Sequence, residues 1–215
     1  AAVGPSRVAR LLEFMRTVGR LKEVKRTGWV RSGVHGAESV ADHMYRMALM
    51  GFALGPTEGV DAGKCVKMAL VHDLAESLIG DLVTEGESHR QDKITREEKI
   101  RRERQALHGI CDALGGEVGE EIRSLWEEFE AGDTSEARHL RDLDKFEMVL
   151  QASEYEESQG LPLPDFFRTT EGKFGTPLFK ALDAEVRLRR AKRALPAAGA
   201  GEEGAREDGA AAAKR

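Results

Sequence analysis

Apolar residues recur at a helical spacing along most of this chain of 215 residues. In residues 8–21 they fall at positions 8, 11, 12, 14, 15, 18 and 21, which line one face of a helix with about 3.6 residues per turn. No alternation of apolar and polar residues persists long enough to predict a sheet. With 40% hydrophobic residues, the chain can bury one real core. The sequence therefore predicts an all-α fold, a single bundle of crossing helices.

Glycine, proline and capping residues divide this pattern into separate helices. Asp61 is a candidate N-cap, and Thr95 followed by Glu98 resembles a capping box. Residues 74–79 are predicted either to continue the helix before them or to turn a corner. We predict helices over residues 8–21, 39–54 (ended by Gly55-Pro56), 62–73, 94–114, 118–131, 135–158 and 177–194.

The remaining segments are predicted to be loops, a connector and two ends. Three glycines around Trp29 predict an ordered loop over residues 27–37, residues 82–92 are polar, and Leu-Pro-Leu-Pro at 161–164 predicts a rigid connector. Residues 196–215 contain no large apolar side chain and are predicted to be disordered. The predicted organisation is an extension at 1–6, one helical domain at 7–195 and a tail at 196–215.

Charge and cysteine usage narrow the function classes. The net charge of -5 gives no electrostatic case for nucleic acid as the main partner. No apolar run approaches the roughly 20 residues that a membrane span needs, and the first residues lack the apolar core of a signal peptide. The two cysteines, Cys65 and Cys111, form no CxxC pair, which favours packing roles in a reducing compartment. We expect a cytoplasmic protein, and because the chain starts at Ala1, organellar targeting by a removed segment stays open.

An imidazole and a carboxylate stand side by side at Val71-His72-Asp73, after an apolar run that begins at Cys65. Imidazole and carboxylate together suit divalent transition ions, Mg²⁺ and Mn²⁺. Adjacent residues on an ideal helix point about 100° apart. Both side chains can therefore reach one ion only if the helix is distorted here or the ion lies near its end. The dipeptide alone is weak evidence, because it occurs by chance in many proteins.

Two further polar residues lie beside apolar faces of other predicted helices. His43 is flanked by apolar residues, and Asp144 stands between Leu143 and Lys145-Phe146. Each has an ordinary alternative: a core histidine bonded to a backbone carbonyl, and a surface aspartate paired with Lys145 or Arg141. Three helices that each offer a metal-competent residue to the interior are an economical way to build a metal site in a bundle.

The combined pattern of His, His-Asp and Asp on successive helices resembles the HD-domain superfamily of metal phosphohydrolases. The surroundings resemble its 5'-deoxynucleotidase branch, particularly the eukaryotic HD-domain-containing protein 2 group, over roughly residues 7–188. The segments that carry this resemblance are ESVADH at 38–43, ALVHDLAE at 69–76, GDL at 80–82, EMVLQASEY at 147–155 and GKF at 172–174.

The resemblance implies a divalent metal cofactor (Mn, Co, Mg or Zn, the identity not being readable) held by His43, His72, Asp73 and Asp144. It also implies catalytic roles for Glu76 and Asp81 and a second ion at Glu76, Asp81 and the carbonyl of Leu82. The alternatives are a surface glutamate at a helix end and an ordinary aspartate after a turn glycine.

For partners, the resemblance implies deoxyribonucleoside 5'-monophosphates as substrates and a homodimer. Trp29 matches a tryptophan near the nucleotide pocket of bacterial deoxynucleotidases, which carry an arginine directly before it. This chain has Gly28 there, so Arg26 and Arg31 are the candidates for contacting the phosphate or sugar. A plain hydrophobic anchor is the alternative role for Trp29.

Other functions stay open at this point. HD domains also cleave cyclic, triphosphorylated and polyphosphorylated nucleotides, and a degenerate domain could bind nucleotide or protein without turnover. A plain helical interaction module would instead use the charged helix at 94–114. We predict that the mixed charges of residues 97–104 form a solvated face. The histidines without motif support are predicted to be non-ligands: His35, His89, His108 and His139.

Overall fold

The computed structural model describes residues 5–54, 58–84 and 94–194. In these ranges the chain is all-α, as predicted, and its β-structure is limited to two isolated bridges. The ten helices of these ranges are α1 (Pro5–Arg20), α2 (Thr27–Arg31), α3 (Val40–Leu54), α4 (Ala62–Ala69), α5 (Glu76–Ile79), α6 (Arg96–Leu114), α7 (Gly116–Ala131), α8 (Ser135–Gln159), α9 (Pro164–Thr170) and α10 (Pro177–Ala194).

The long helix α8 organises the core. It packs against α3, α4, α7, α9 and α10, while α6 packs on α7, α5 and α1. Leu140, Leu143 and Val149 on α8 are completely buried. Because α8 is covered on several sides, polar residues on its buried faces are held inside the bundle rather than in water.

Side-chain caps begin the helices where the sequence predicts them. Asp61 accepts a hydrogen bond from the backbone N–H of Lys64, and Thr95 from that of Glu98. The second half of the capping box does not form, because the Glu98 carboxylate binds Arg101 and Arg102 instead. An expected reciprocal contact is thus replaced by exposed ion pairs on the same helix.

The third predicted helix ends earlier than expected, and this difference shapes the site. Helix α4 ends at Ala69, so that His72 and Asp73 lie in the turn before α5. The Ala69 carbonyl, which would accept from Asp73 in a continuing helix, faces the ring Nδ1 of His72 at 2.9 Å. Trp126 Nε1 donates to the His72 carbonyl at 3.1 Å. Side-chain N–H groups thus bind two carbonyls that would accept backbone hydrogen bonds if the helix continued. Residues 74–79 therefore turn the corner, the second of the two predicted alternatives.

Two other predictions of irregular structure were partly wrong. Residues 27–31 of the predicted loop form α2, and Pro164, the last residue of the predicted connector, is the first residue of α9. Helix α2 is stabilised by tertiary contacts, since Asp81 accepts a hydrogen bond from Thr27 N at 2.5 Å. Proline at the first position of α9 suits a helix start, because the missing N–H has no partner there.

Some predictions fall outside the described residues: the Gly55-Pro56 stop, most of the polar loop, His89 and the predicted tail at 196–215. Within the described part, no helix combines the length and apolar character that crossing a membrane requires.

Candidate functional site

Four polar residues from separate parts of the chain converge inside the bundle. His43 comes from α3, His72 and Asp73 from the turn after α4, and Asp144 from α8. His43 Nε2 lies 3.2 Å from Asp144 Oδ1 and 3.7 Å from Asp73 Oδ2. His72 Nε2 lies 3.2 Å from the same Asp73 oxygen. His43, His72 and Asp73 each offer one ligand atom, and these atoms all lie within 4.8 Å of one another.

Each histidine is oriented through its other ring nitrogen. His43 Nδ1 lies 2.7 Å from Glu147 Oε2, and His72 Nδ1 lies 2.9 Å from the Ala69 carbonyl. Because a carbonyl only accepts, His72 Nδ1 carries a proton, and a neutral ring then presents the Nε2 lone pair to the carboxylates. Neither Nε2 has a hydrogen-bond partner among the described residues. Two buried, unpartnered nitrogens facing two carboxylates form an arrangement that a cation would complete.

The buried acids and imidazoles shift one another's pKa. Burial lowers the pKa of His43, but the carboxylates of Asp144 and Glu147 outweigh burial and raise it to about 9. Burial raises the pKa of Asp144, but its contact with His43 outweighs burial and lowers it to about 2. Positive charge on the imidazole therefore compensates the carboxylates. A metal cation can supply the same compensation, in competition with protons.

Glu147 and Arg46 support this cluster, although neither was predicted as a site residue. Glu147 is completely buried. Its Oε1 accepts from Arg46 Nε at 2.8 Å, and its Oε2 faces His43. A signal was available: Glu147 follows Asp144 by three residues on α8, and Arg46 follows His43 by three on α3. Helical spacing places Glu147 on the same face of α8 as Asp144, and Arg46 on the same face of α3 as His43.

Glu76 and Asp81 lie beside the cluster. Glu76 is 1% exposed, and neither of its carboxylate oxygens has a hydrogen-bond partner among the described residues. Burial and the negative charges of Asp73 and Asp81 raise the pKa of Glu76 well above its ordinary value. Asp81 binds the start of α2 through Thr27. An unpartnered buried carboxylate among other acids is a second place where positive charge would be stabilised.

A cavity of about 800 Å³ opens beside the cluster, and its walls include His72, Asp73, Asp144, Asp81 and Leu82. This volume lies within the range of roughly 300–1,000 Å³ that is typical of small-molecule sites. Seven of the described lining residues are cationic, which suits an anionic ligand: Arg26, Arg31, Arg96, Lys99, Arg141, Lys145 and Lys173.

Both arginines predicted from the sequence line this cavity. Arg26 Nη1 lies 3.3 Å from Asp73 Oδ2. Arg31 Nη1 is buried without a hydrogen-bond partner in the described part of the chain. The geometry therefore places both candidates at the cavity, and Arg26 in contact with an acid of the cluster.

Trp29 also lines the cavity but is 1% exposed. Its Nε1 donates to Glu38 at 2.8 Å, and its ring stacks against Phe166 with centroids 4.2 Å apart. Gly28 is tightly packed, since a Cβ built there lies 3.3 Å from the Phe166 ring. Trp29 is thus an anchor that joins α2 to α9, and at most part of its ring is offered to a ligand.

A family model of the HD domain matches residues 18–180. The chain belongs to the HD domain family. The protein "5'-deoxynucleotidase HDDC2" of Dictyostelium discoideum is 48% identical to it over 191 residues, which cover 83% of this chain and 97% of that protein. The human protein of the same name is 43% identical over 190 residues, covering 87% of this chain and 90% of that protein.

The fold comparison agrees with this family. A crystal structure from Magnetospirillum magnetotacticum MS-1, described as a predicted metal-dependent phosphohydrolase, matches with a TM-score of 0.66 and 25% identity. The match covers 87% of this chain and 94% of that one.

Helix α6 of this HD domain departs from the single solvated face predicted for it. Arg101 and Arg102 are exposed and pair with Glu98, as predicted. Lys99 and Glu103 instead line the cavity, and Glu103 is only 7% exposed. The prediction was wrong for these two residues because charge alternation along a helix does not show which face a tertiary cavity will border.

The remaining histidines described in this HD domain have ordinary partners. His108 Nε2 lies 2.9 Å from Glu127, His139 Nδ1 faces the Ser135 carbonyl at 2.8 Å, and His35 is exposed. Cys65 and Cys111 are buried free cysteines within the hydrophobic core, as their predicted packing roles require.

Proposed function

We propose that this chain is a metal-dependent 5'-deoxynucleotidase, which hydrolyses deoxyribonucleoside 5'-monophosphates to deoxynucleoside and phosphate. The observation that carries the proposal is the convergence of two unpartnered histidine nitrogens and two carboxylates beside a cation-lined cavity. Curated relatives at 43–48% identity, the Dictyostelium and human proteins, bear this activity in their names.

In this proposal the divalent cation is held by His43, His72, Asp73 and Asp144. The donor set of two imidazoles and two carboxylates fits Mn²⁺, Co²⁺, Mg²⁺ or Zn²⁺. When bound, such an ion polarises phosphoryl oxygen and makes water more acidic. Glu147 and the Ala69 carbonyl keep the two histidine rings oriented.

In this proposal the acids beside the cluster orient and deprotonate the attacking water. Glu76 orients the water and accepts its proton, while Asp81 assists directly or by holding a second ion together with Glu76 and the Leu82 carbonyl. The buried, unpartnered carboxylate of Glu76 supports this role. The water oxygen bonds to phosphorus, the bond from phosphorus to the 5'-oxygen breaks, and the 5'-oxygen takes up a proton.

The cavity provides the contacts to the nucleotide. Arg26 and Arg31 are assigned to the phosphate or sugar, since both line the cavity. Trp29 is assigned to the wall of the nucleoside pocket, where its packing on Phe166 holds it rigid.

We further propose that the protein acts in the cytoplasm as a homodimer. An exposed apolar stripe on α3 supports a protein contact: Tyr45, Leu49 and Phe52 are 65%, 54% and 70% exposed and follow the helical period. Light scattering at micromolar concentration should give twice the monomer mass. Tyr45→Asp combined with Phe52→Asp should give the monomer mass, and a dimer that persists in this folded double variant would remove the stripe from the interface.

The activity is tested by phosphate release from dAMP and AMP by metal-stripped protein after addition of Mn²⁺, Co²⁺, Mg²⁺ or Zn²⁺. Asp73→Ala is the control variant, with circular dichroism to confirm its fold. Release from dAMP that requires metal and disappears in Asp73→Ala would support the proposal, and the ratio of dAMP to AMP would report sugar selectivity. No release with any metal, from folded and loaded protein, would contradict it and direct the assay to cyclic and polyphosphorylated nucleotides.

A further inference from the structure

Two cations from separate elements, Arg26 and Lys99, line the same cavity as Asp73 and Asp81. Burial opposes the charge of Arg26 and of Lys99, but in both cases nearby carboxylates outweigh it and raise the pKa of the cation. Asp73, Glu76 and Asp81 act on both cations. Arg26 stands at the start of α2 and Lys99 in the first turns of α6, and both line the cavity. The same acids therefore interact electrostatically with one cation at the start of α2 and one on α6.

Lys99 is held loosely enough to accept a ligand. Its Nζ lies 3.6 Å from Glu103 Oε1, which is longer than a hydrogen bond. An ammonium group has three N–H donors, so one carboxylate at this distance does not use its donor capacity. Two other cavity cations are more closely engaged with the protein: Lys145 pairs with Asp142 at 3.1 Å, and Arg141 donates to the Glu130 carbonyl at 3.2 Å.

A nucleotide phosphate in this cavity would be stabilised by such a cation. A phosphate monoester brings close to two negative charges into a cavity that already contains several carboxylates, and like charges repel strongly in a partly buried site. Lysine is a common phosphate-binding residue because its ammonium is a compact point charge. Glu103, one helical turn away from Lys99 and 7% exposed, restricts where the ammonium can lie.

We propose, on the basis of the function above, that Lys99 binds the phosphate group of the nucleotide beside the acid cluster and that Glu103 is its positioning residue. The interaction extends the site to α6, a helix whose charged residues 97–104 were predicted to form a solvated face. It also gives the Lys99–Glu103 pair a role that exposed pairs on the same helix, such as Arg102–Glu98, do not share.

Inorganic phosphate is the probe, because its binding does not depend on turnover. Calorimetry on Mn²⁺-loaded protein should show phosphate affinity reduced on the order of 10-fold in Lys99→Met, as expected for the loss of one hydrogen bond to a charged group. Lys99→Arg, which keeps the charge, should stay within about threefold of wild type. Arg102→Met removes the same charge from the exposed side of α6 and should leave the affinity unchanged. Equal phosphate affinity in folded Lys99→Met and wild type would overturn the proposal.

Phosphate release from dAMP distinguishes a failure of this proposal from a failure of the proposed function. If wild type binds phosphate through Lys99 but releases none from dAMP, the nucleotidase assignment fails and the Lys99 assignment stands. In active enzyme, Lys99→Met should raise KM for dAMP about 10-fold, and Glu103→Gln should raise it by a smaller factor without changing Mn²⁺ affinity. A loss confined to kcat, with phosphate affinity intact, would instead assign Lys99 to compensation of the acids and overturn phosphate binding. Should Lys99→Met fail to fold, Lys99→Gln replaces it.

Discussion

His43 Nδ1 and Glu147 Oε2 lie 2.7 Å apart, and both side chains are completely buried. This contact fixes the plane of the His43 ring and directs Nε2 towards Asp73 and Asp144. The partner of a ligating histidine also affects its basicity, and loss of such a partner typically lowers metal affinity 10–100-fold.

We therefore expect Glu147→Gln to bind Mn²⁺ roughly 10–100-fold more weakly than wild type in a chelator-competition titration. Glu154→Gln is the matched control, because Glu154 also lies on α8 and binds Arg46, at 2.7 Å, but does not contact His43. Equal Mn²⁺ affinity in Glu147→Gln and Glu154→Gln would mean that the contact does not support a metal ligand.

Trp29 is predicted to contribute to stability through both its ring and its N–H group. Trp29→Phe removes the hydrogen bond to Glu38 and should lower the free energy of unfolding by about 1–3 kcal/mol. Trp29→Ala also removes the packing on Tyr155 and Phe166, and should cost about 3–5 kcal/mol. Urea unfolding measures both. If Trp29→Ala costs no more than Trp29→Phe, the ring is not an anchor.

Two helical glycines should respond to alanine with opposite signs. A Cβ at Gly119 lies 2.6 Å from the backbone oxygen of Cys111, whereas one at the exposed Gly109 meets nothing within 4 Å. Gly109→Ala should stabilise the protein by about 0.5–1 kcal/mol, because alanine favours helix. Gly119→Ala should destabilise it, because α6 and α7 must separate. Thermal unfolding of the two variants tests this, and a raised Tm for Gly119→Ala would contradict the close contact between these helices.

Glu103 should make stability depend on pH. Burial raises the pKa of Glu103 to about 7, despite the opposing charge of Lys99. Between about pH 4.5 and pH 7 the folded protein retains a proton that the unfolded chain has lost. The stabilising contribution of this proton is therefore complete below pH 4.5 and is lost as pH rises through 7.

Glu103→Gln lacks this titration, so its stability relative to wild type should improve by roughly 1–3 kcal/mol from pH 4.5 to pH 7. Urea unfolding of metal-free protein across this window measures the difference. Glu97→Gln, on the same helix but exposed, should follow the wild-type pH profile. A constant difference between Glu103→Gln and wild type would show that Glu103 titrates normally.

Helix positions were predictable to the extent that their signals are local. The last helix has its predicted bounds, 177–194, and the Asp61 and Thr95 caps form as expected. The end of α4 was not predictable, because the His72 carbonyl accepts a hydrogen bond from Trp126, which is 54 residues away in the chain. Helix α2 was missed for a similar reason, since its first N–H is bound by Asp81, also 54 residues away.

The sequence by itself determined the helical class, most helix boundaries and the residue types able to hold a divalent ion, because periodicity, capping and ligand chemistry are properties of neighbouring residues. Only the tertiary structure decided which atoms face one another. The turn that presents His72 and Asp73 together, the support of His43 by Glu147, and the position of Lys99 at the cavity all depend on contacts between distant segments. These contacts arise from packing of the whole bundle, which no local pattern encodes.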